Sequence, residues 1–351
     1  MPLLARMLAS PLFVDIRRGA VAGLADLLTE RRISAGGTVM VAVGRGQGED
    51  IWDRLRPVLP TAQVFTVPDA SLRAAADLQQ AIGQGSFDAV VGIGGGKTLD
   101  VAKYAATRAA LPMVAVATNL AHDGLCSPVA SLEFPHGKGS FGVSMPLAVV
   151  VDLDYVSTAP AQLVRAGIGD AVSNLSAIED WNLAHRERGE PVDGLAVTFA
   201  RTAAEALLHR TDGIEEDDFL IALAEALVLS GMAMSVAGTS RPCSGACHEI
   251  YYALDELWPN VASHGELAGM GALFAYFLRG DEVRFTQIER CLRHHSLPRL
   301  PSHIGLSEDQ FVQGVLAAPA TRPDRYTILE HLDLDEAEVR TQVEKYCLAT
   351  S

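Results

Sequence analysis

The first part of the chain alternates between short apolar runs of strand length and longer stretches whose apolar residues recur at helical spacing. The apolar runs are rich in β-branched residues, and they stand at residues 38–43, 63–67, 89–93 and 113–117. Alternating strands and helices of this kind are typical of a mostly parallel sheet with helices on both faces. The pattern therefore predicts an α/β domain over residues 1–157.

The pattern changes twice further along the chain. Three short strands joined by polar turns are predicted to form a hairpin extension at the sheet edge, over Ser127–Glu133, Ser140–Val143 and Leu147–Val151. From Pro160 onward β-branched runs nearly vanish, and Ala, Leu, Glu and Arg recur at helical spacing. We therefore predict an all-α second domain over residues 158–351. Its most apolar run, residues 226–238, is too short to span a bilayer and predicts a buried helix.

Composition narrows the class of protein. The chain has 351 residues, of which 49% are hydrophobic, so it is long enough for two domains with sizeable cores. Its net charge of −15 disfavours nucleic acid and anionic membranes as partners, because both attract clustered Lys and Arg. The five cysteines form no C-x-x-C pair, and the N-terminal stretch lacks the apolar core of a secretory signal. We therefore expect reduced thiols in a cytoplasmic protein without membrane insertion.

One segment, Asp88–Lys103, joins a predicted strand to a predicted helix through three adjacent glycines, residues 94–96. Glycines let backbone N–H groups approach a phosphate, and the new helix points its free amides and positive dipole end toward the same place. Two standard motifs do not match this segment. The dinucleotide fingerprint requires a glycine at position 97, which is Lys97, and the P-loop requires its first glycine at position 91, which is Val91. The segment predicts an anion site, with a tight turn that binds nothing as the alternative.

Three residues of the helical part suit a divalent metal. Asp170 follows Gly167-Ile168-Gly169, and an acid after such a turn alternatively caps a helix. His248 and His264, each taken alone, are more typical of structural histidines. Together, one carboxylate and two imidazoles match a catalytic zinc site, which uses three protein ligands, and they also suit Fe, Ni or Mn. The remaining histidines among charged residues are predicted to lie on the surface: His185, His294 and His295.

Two further groups have competing interpretations. Cys243, Cys247 and His248 could form a thiolate zinc site, although no second Cys or His pair stands at zinc-finger spacing. His122-Asp123-Gly124 follows the strand at 113–117, which places it at the carboxyl edge of the sheet beside the glycine segment. It is either a turn stabilised by Asp123 or an acid that reaches toward a ligand.

Five segments stand out by their order and spacing: GGGKTLDVAK, HDGLCSPVAS, GIGDAVSN, SRPCSG before His248, and SHGE. They resemble the sn-glycerol-1-phosphate dehydrogenases, a branch of the iron-containing alcohol dehydrogenase and glycerol dehydrogenase superfamily. The resemblance extends from the glycines at 94–96 to the stretch Arg322–Glu330, RPDRYTILE. It implies a dinucleotide-binding α/β domain, a helical metal domain, an active site between them and a homo-oligomer. The implied reaction is reduction of dihydroxyacetone phosphate by NADH or NADPH, usually with zinc.

Carried over residue by residue, the resemblance also implies roles for single side chains. Zinc would be bound by Asp170, His248 and His264, and Asp123 would contact the substrate. The catalytic residues would be Asp123, Asp170 and Tyr252. The cofactor pyrophosphate and ribose would contact Gly94, Gly95, Gly96, Lys97, Thr98, Leu99 and Asp100. The rest of the cofactor would contact Thr118, Asn119, Leu120, Ala121 and Ser127.

Three departures from the family pattern leave the substrate open. Ala246-Cys247 replaces Ser-Glu before the metal histidine, Ala121 replaces Ser, and Tyr252 replaces a second histidine that contacts substrate in the family. Tyr252 lies one helical turn after His248, so both side chains face the same way. Its hydroxyl is a neutral donor and brings no positive charge to a phosphate. The sequence alone therefore predicts weak use of dihydroxyacetone phosphate or a preference for a related carbonyl, and it predicts that Tyr252→His improves the use of dihydroxyacetone phosphate.

Three alternative functions stay open. The first is a reductase of the same fold that acts on another phosphorylated, phosphonylated or polyol carbonyl. The second is a cyclase related to dehydroquinate synthase, which recycles its NAD. The third is a phosphotransferase built on Gly96-Lys97-Thr98. The choice between NADH and NADPH is open as well, since Arg45 could meet a 2′-phosphate whereas Glu49 or Asp50 would repel one.

Overall fold

A computed structural model of the chain describes residues 9–135 and 137–350. Its contacts divide the chain into two compact units, of which the first ends at Pro160 and the second begins at Ala161. The first is an α/β unit and the second is helical, so the predicted fold class is confirmed. The domain boundary at residue 157 stays a sequence prediction.

The α/β unit is built around a six-stranded sheet with the order β1-β8-β5-β4-β2-β3, in which every neighbouring pair is parallel. A separate antiparallel pair is formed by β6 and β7. The strands are β1 (Phe13–Arg17), β2 (Val39–Val43), β3 (Gln63–Thr66), β4 (Ala89–Gly94), β5 (Met113–Ala117), β6 (Val129–Phe134), β7 (Gly137–Gly142) and β8 (Ala148–Asp152). The helices are α1 (Leu24–Glu30), α2 (Gln47–Leu55), α3 (Leu72–Gly83), α4 (Gly96–Arg108) and α5 (Leu153–Val156).

The inner strands explain the apolar runs of the sequence. Every residue of β2, β4, β5 and β8 is buried, so both faces of these strands are covered. A strand buried on both faces shows a continuous apolar run rather than alternation. Because β2, β4 and β5 are parallel neighbours, the loops that follow them leave the sheet at the same edge.

Two strands differ from the sequence prediction. The hairpin extension is correct for β6 and β7 but wrong for the third strand, because β8 lies inside the parallel sheet between β1 and β5. The cause is burial, since Ala148–Asp152 is covered on both faces whereas Gly137–Gly142 is glycine-rich and largely exposed. The prediction also lacks β1, whose apolar and charged residues are mixed and whose Asp15 pairs with Arg17.

Every regular element described between residues 161 and 350 is helical. Two long helices, α6 and α10, pack along each other, and α6 also packs on α7. The α-helices are α6 (Ala161–Arg188), α7 (Gly194–Leu208), α8 (Asp217–Ala237), α9 (Ala246–Leu257), α10 (His264–Arg279), α11 (Glu282–His294), α12 (Glu308–Thr321), α13 (Ile328–Leu332) and α14 (Glu336–Thr350). The predicted all-α class is confirmed.

The helix α8 contains the most apolar run of the chain. It has 21 residues, so by length and composition alone it is long enough to cross a bilayer, contrary to the shorter predicted run. However, 61% of its most apolar 18-residue stretch is buried within the protein. Phe219, Leu220 and Leu223 are fully covered, and the helix packs on α7. The predicted buried helix is therefore confirmed, with a longer extent.

The predicted surface histidines divide into two groups. His185 and His294 are exposed, as expected. His295 is only 4% exposed, and its ring centroid lies 5.1 Å from that of Phe219. The prediction is wrong for His295 because consecutive residues at a helix end point in different directions, so charged neighbours do not fix the exposure of each.

Candidate functional site

Three side chains of the helical unit converge on one point. Asp170 Oδ1 lies 2.9 Å from His264 Nε2 and 3.7 Å from His248 Nε2. The two Nε2 atoms are 3.2 Å apart. Asp170 and His248 are buried, and His264 is partly exposed. Among the described residues, no other group of His, Cys, Asp or Glu side chains has a geometry suited to a metal ion.

Close helix packing sets the distance between Asp170 and His264. Asp170 lies inside α6, and His264 is the first residue of α10. A Cβ at Gly169 would lie 2.1 Å from the carbonyl oxygen of Gly265, and a Cβ at Gly265 would lie 1.7 Å from that of Ala166. Only glycine permits this approach, so the Gly-x-Gly before Asp170 is a helix contact. The alternative of a turn followed by a helix cap is wrong.

A buried carboxylate holds the helix that carries His248. Asp180 Oδ2 accepts a 2.8 Å hydrogen bond from the backbone N–H of Ala246, in the first turn of α9. Asp180 Oδ1 accepts a hydrogen bond of 2.8 Å from the backbone N–H of Ile328 and pairs with Arg279 of α10. One side chain of α6 therefore fixes α9, α10 and the start of α13 relative to one another.

The charge states of the cluster suit a divalent metal. Burial lowers the pKa of His248 to about 4, so its imidazole is neutral at pH 7. Burial acts to raise the pKa of Asp170, but hydrogen bonds from His248 and His264 outweigh it and hold that pKa well below its usual range. Neutral imidazoles and an ionised carboxylate are the forms that bind such metals. The donor set fits zinc and iron alike.

The two cysteines of the competing zinc hypothesis do not join the cluster. Cys243 Sγ donates to the carbonyl of Ser230 at 3.4 Å, in a different apolar cluster from Cys247. Burial raises the pKa of Cys247 to about 12, which keeps the thiol protonated and makes it a poor metal ligand. Cys247 Sγ instead lies 3.3 Å from Nδ1 of His248, the ring nitrogen opposite the cluster. It is placed to orient the His248 ring.

Tyr252 lies beside the cluster, and an arginine side chain packs on its ring. Its ring centroid is 6.4 Å from that of His248. Its hydroxyl accepts a 2.9 Å hydrogen bond from Nη2 of Arg322, whose guanidinium carbon lies 4.7 Å from the Tyr252 ring centroid. The sequence marks Arg322 only as the start of a stretch that resembles the family. Its contact with Tyr252 is not predicted, because 70 residues separate the two and no spacing links them.

In the α/β unit, the glycine segment packs against the loop after β5. A Cβ at Gly95 would lie 2.5 Å from Asn119 Nδ2, and a Cβ at Gly96 would lie 2.1 Å from His122 Nε2. On its other side, a Cβ at Gly44 would lie 2.4 Å from Thr98 Oγ1. The loops after β2, β4 and β5 therefore meet at the carboxyl edge of the sheet, where ligands of such sheets bind.

The predicted cofactor residues occupy this edge in different ways. Asp100 is buried, with Oδ1 2.9 Å from Lys103 Nζ and Oδ2 accepting a hydrogen bond from the backbone of Ser131 at 3.0 Å, so it also ties α4 to β6. Its contact with a ribose stays a prediction. The other buried members are Gly94, Thr98, Leu99, Thr118, Leu120 and Ser127. The members at least partly exposed are Gly95, Gly96, Lys97, Asn119 and Ala121.

Asp123 begins a short 3₁₀ helix, Asp123–Leu125, in the loop after β5. The side chain that caps this turn is His122, whose Nδ1 accepts a 3.0 Å hydrogen bond from the backbone of Gly124. The Asp123 carbonyl accepts from the backbone of Cys126 and Ser127. The carboxyl-edge position predicted for Asp123 agrees with this placement, and its contact with substrate stays a prediction.

Known proteins share this organisation. Residues 15–160 match the family model of iron-containing alcohol dehydrogenases. The chain is 34% identical over 328 residues to glycerol-1-phosphate dehydrogenase [NAD(P)+] of Hyperthermus butylicus. The aligned region covers 91% of this chain and 92% of the relative. It is 39% identical over 258 residues to the protein of the same name from Methanoculleus marisnigri, covering 72% and 70%. A solved structure of a probable glycerol dehydrogenase from Sinorhizobium meliloti 1021 shares the fold, with a TM-score of 0.79, 23% identity and 99% coverage of each chain.

The parallel sheet with its glycine segment, the helical unit with its three-donor cluster and these matches define an oxidoreductase. Its class is that of the NAD(P)-dependent, metal-containing alcohol dehydrogenases. Within that class, the extent and identity of the sequence matches decide the family. The chain belongs to the glycerol-1-phosphate dehydrogenase family.

Proposed function

We propose that this protein reduces dihydroxyacetone phosphate, or a closely related small phosphorylated ketone, to the alcohol with NADH or NADPH. The observation that carries the proposal is the cluster of Asp170, His248 and His264, whose donor atoms lie 2.9 to 3.7 Å apart. Relatives that are 34% and 39% identical carry the name of the glycerol-1-phosphate dehydrogenase reaction. The cluster supports a metal-assisted carbonyl reduction rather than a phosphotransfer.

The proposed roles follow from the geometry and the family. Asp170, His248 and His264 hold one divalent metal, which we propose is zinc. When bound, the metal supplies a Lewis acid for the substrate oxygen, and the reduced nicotinamide supplies the hydride. The ionised Asp170 offsets part of the metal charge, and burial keeps His248 neutral and available as a ligand. We propose Asp123 and Tyr252 as further substrate contacts.

The cofactor is proposed to bind at the carboxyl edge of the sheet. Support comes from the start of α4, where Gly95 and Gly96 bring no side chain of their own to the first backbone amides. The loop around Asn119 and His122 packs against the same glycines. The P-loop alternative lacks its first glycine at Val91, which disfavours ATP at this place. We further propose a cytoplasmic homo-oligomer.

A screen of small carbonyl substrates with both reduced cofactors tests the function. Dihydroxyacetone phosphate, a phosphonate carbonyl and dihydroxyacetone are each mixed with NADH or NADPH, and nicotinamide absorbance at 340 nm is followed. We expect steady oxidation with dihydroxyacetone phosphate. Substrate turnover without net nicotinamide oxidation would point to a cyclase that recycles its NAD, and ATP hydrolysis without either would point to a phosphotransferase.

A further inference from the structure

Arg322 has most of its hydrogen-bonding capacity unused. It donates one side-chain hydrogen bond, to the Tyr252 hydroxyl, and lies over the ring of the same tyrosine. Within the described residues, no carboxylate forms an ion pair with it. A guanidinium has five N–H donors in a planar fork, so several remain directed away from Tyr252. Arg322 is partly exposed and lies where α12 has ended.

Arg325 lies three residues further along, between α12 and α13, and forms no ion pair with a carboxylate among the described residues. It donates to the carbonyl of Ser244 and, at 2.6 Å, to Oγ of Ser240. Two other arginines of this unit pair with carboxylates, Arg241 with Glu190 and Arg279 with Asp180. Among the described residues no carboxylate forms an ion pair with either arginine beside Tyr252, and the Glu249 carboxyl acts on Arg325 only electrostatically.

The electrostatics of Arg325 agree with this imbalance. Burial lowers its pKa, and the positive charges of Arg322 and Arg241 lower it further. Like charges repel one another, so a bound anion would stabilise Arg322 and Arg325 together. An anion with several oxygens would do so best, since each oxygen accepts from a separate N–H donor.

This positive region borders the candidate metal cluster. Tyr252 lies one turn after His248 on α9, and its ring is 6.4 Å from the His248 ring. After burial and the charge of His264, the charge of Arg325 is a further cause of the lowered pKa of His248. An anionic group near Arg322 would therefore lie next to the carbonyl that the cluster is proposed to bind.

We propose that Arg322, which lies over the Tyr252 ring, is the residue that binds the phosphate of the substrate, with Arg325 as a partly buried second charge. The inference rests on the proposed function and specifies its substrate class, which is a ketone whose phosphate or phosphonate dianion is separated from the carbonyl by a short linker. Tyr252 positions Arg322 through its ring and hydroxyl.

The test compares Arg322→Met with the wild type on two substrates that differ only in the phosphate. We expect kcat/KM for dihydroxyacetone phosphate to fall about 10- to 100-fold, the range for a charge-assisted hydrogen bond. We expect kcat/KM for dihydroxyacetone to change less than about threefold, because its carbonyl is unaffected. Arg322→Lys should recover part of the loss, since it restores the charge without the fork.

The matched control is Arg290→Met, which removes an exposed arginine of α11 in the same unit. It should leave both substrates unchanged. An equal loss on dihydroxyacetone and dihydroxyacetone phosphate in Arg322→Met would overturn the proposal and assign Arg322 a structural role.

A binding measurement separates this inference from the proposed function. Inorganic phosphate is titrated calorimetrically into the wild type and into Arg322→Met. Weaker binding by the variant supports the subsite even if the wild type reduces neither ketone, in which case the proposed function alone fails. Equal phosphate affinity in the two proteins overturns the subsite whatever the activity shows.

Discussion

The two units assemble their candidate sites in different ways. In the α/β unit, the loops after β2, β4 and β5 meet because parallel neighbours end at the same sheet edge. In the helical unit, His264 and Asp170 stand 94 residues apart on two helices, and only the crossing at Gly169 and Gly265 brings them to 2.9 Å. Strand topology brings the loops of the first site to one sheet edge, where glycines let them pack, whereas the second site depends on a backbone contact between two distant glycines. Single substitutions should therefore act more severely in the helical cluster.

The largest effect is expected for His264→Ala. Removing one of three donors should cost the metal and lower kcat/KM by about a hundredfold or more, equivalent to about 2.7 kcal/mol in the barrier. The variant should stay folded, because the capping box of α10, formed by Ser263 and Glu266, does not involve His264. Elemental analysis and circular dichroism measure the two outcomes.

The control for this variant is His209→Ala, which removes an exposed histidine of the same unit. It should retain metal and activity. Full metal content in His264→Ala would show that the cluster is not the metal site, and the contrast between the two units would lose its basis.

A smaller effect is expected for Gly95→Val in the α/β unit. The backbone of Gly95, with φ −80° and ψ −178°, accepts any residue, so the fold should persist. The new side chain would displace Asn119 and crowd the amides at the start of α4. We expect NADH or NADPH affinity to fall about tenfold, equivalent to about 1.4 kcal/mol.

Fluorescence titration of the nicotinamide measures this affinity. Gly83→Val is the matched control, because an added Cβ at Gly83 meets no atom within 4 Å. Unchanged affinity in Gly95→Val, or an equal loss in both variants, would remove the glycine segment from the cofactor site.

The same contrast explains what the sequence could and could not predict. The strand, glycines and helix of residues 88–108 form one contiguous segment, so local patterns predict them well. The position of β8 inside the sheet is set by long-range pairing with β1 and β5, which a local pattern does not contain. Likewise the glycines before Asp170 suggest a turn in sequence, yet they are explained by the distant Gly265. The contact of Arg322 with Tyr252 is not predicted for the same reason.

Tyr252→His tests whether the distant Arg322 matters more than the local residue type. The sequence alone predicts that histidine would improve the use of dihydroxyacetone phosphate. The structure adds that histidine would lose the ring and hydroxyl that hold Arg322. We therefore expect kcat/KM for this substrate to fall about three- to tenfold, roughly the worth of one hydrogen bond and a partly exposed cation–π contact.

Tyr252→Phe is the matched control, since it keeps the ring under Arg322 and loses only the hydroxyl. It should lie between the wild type and Tyr252→His in kcat/KM. An increase in Tyr252→His would show instead that the local charge at position 252 decides phosphate use.

The smallest effect is expected at His295, a buried histidine of the helical unit. Burial, followed by the charge of His294, lowers the pKa of His295 to about 4, compared with about 6.5 in an unfolded chain. The folded state therefore binds fewer protons than the unfolded state between these pH values. The contribution of His295 to stability is fully present above pH 6.5 and is lost as the pH falls toward 4.

His295→Gln cannot titrate and should lose less stability than the wild type between pH 7 and pH 5. We expect a difference of about 2 to 4 °C in the Tm change, the shift that about 1 kcal/mol produces in a domain of this size. His294→Gln removes the neighbouring charge that contributes to this lowering, so its loss of stability in the same thermal scans should lie between those of the wild type and His295→Gln. If His295→Gln kept the full wild-type pH dependence, the buried ring would not be a source of acid sensitivity in the helical unit.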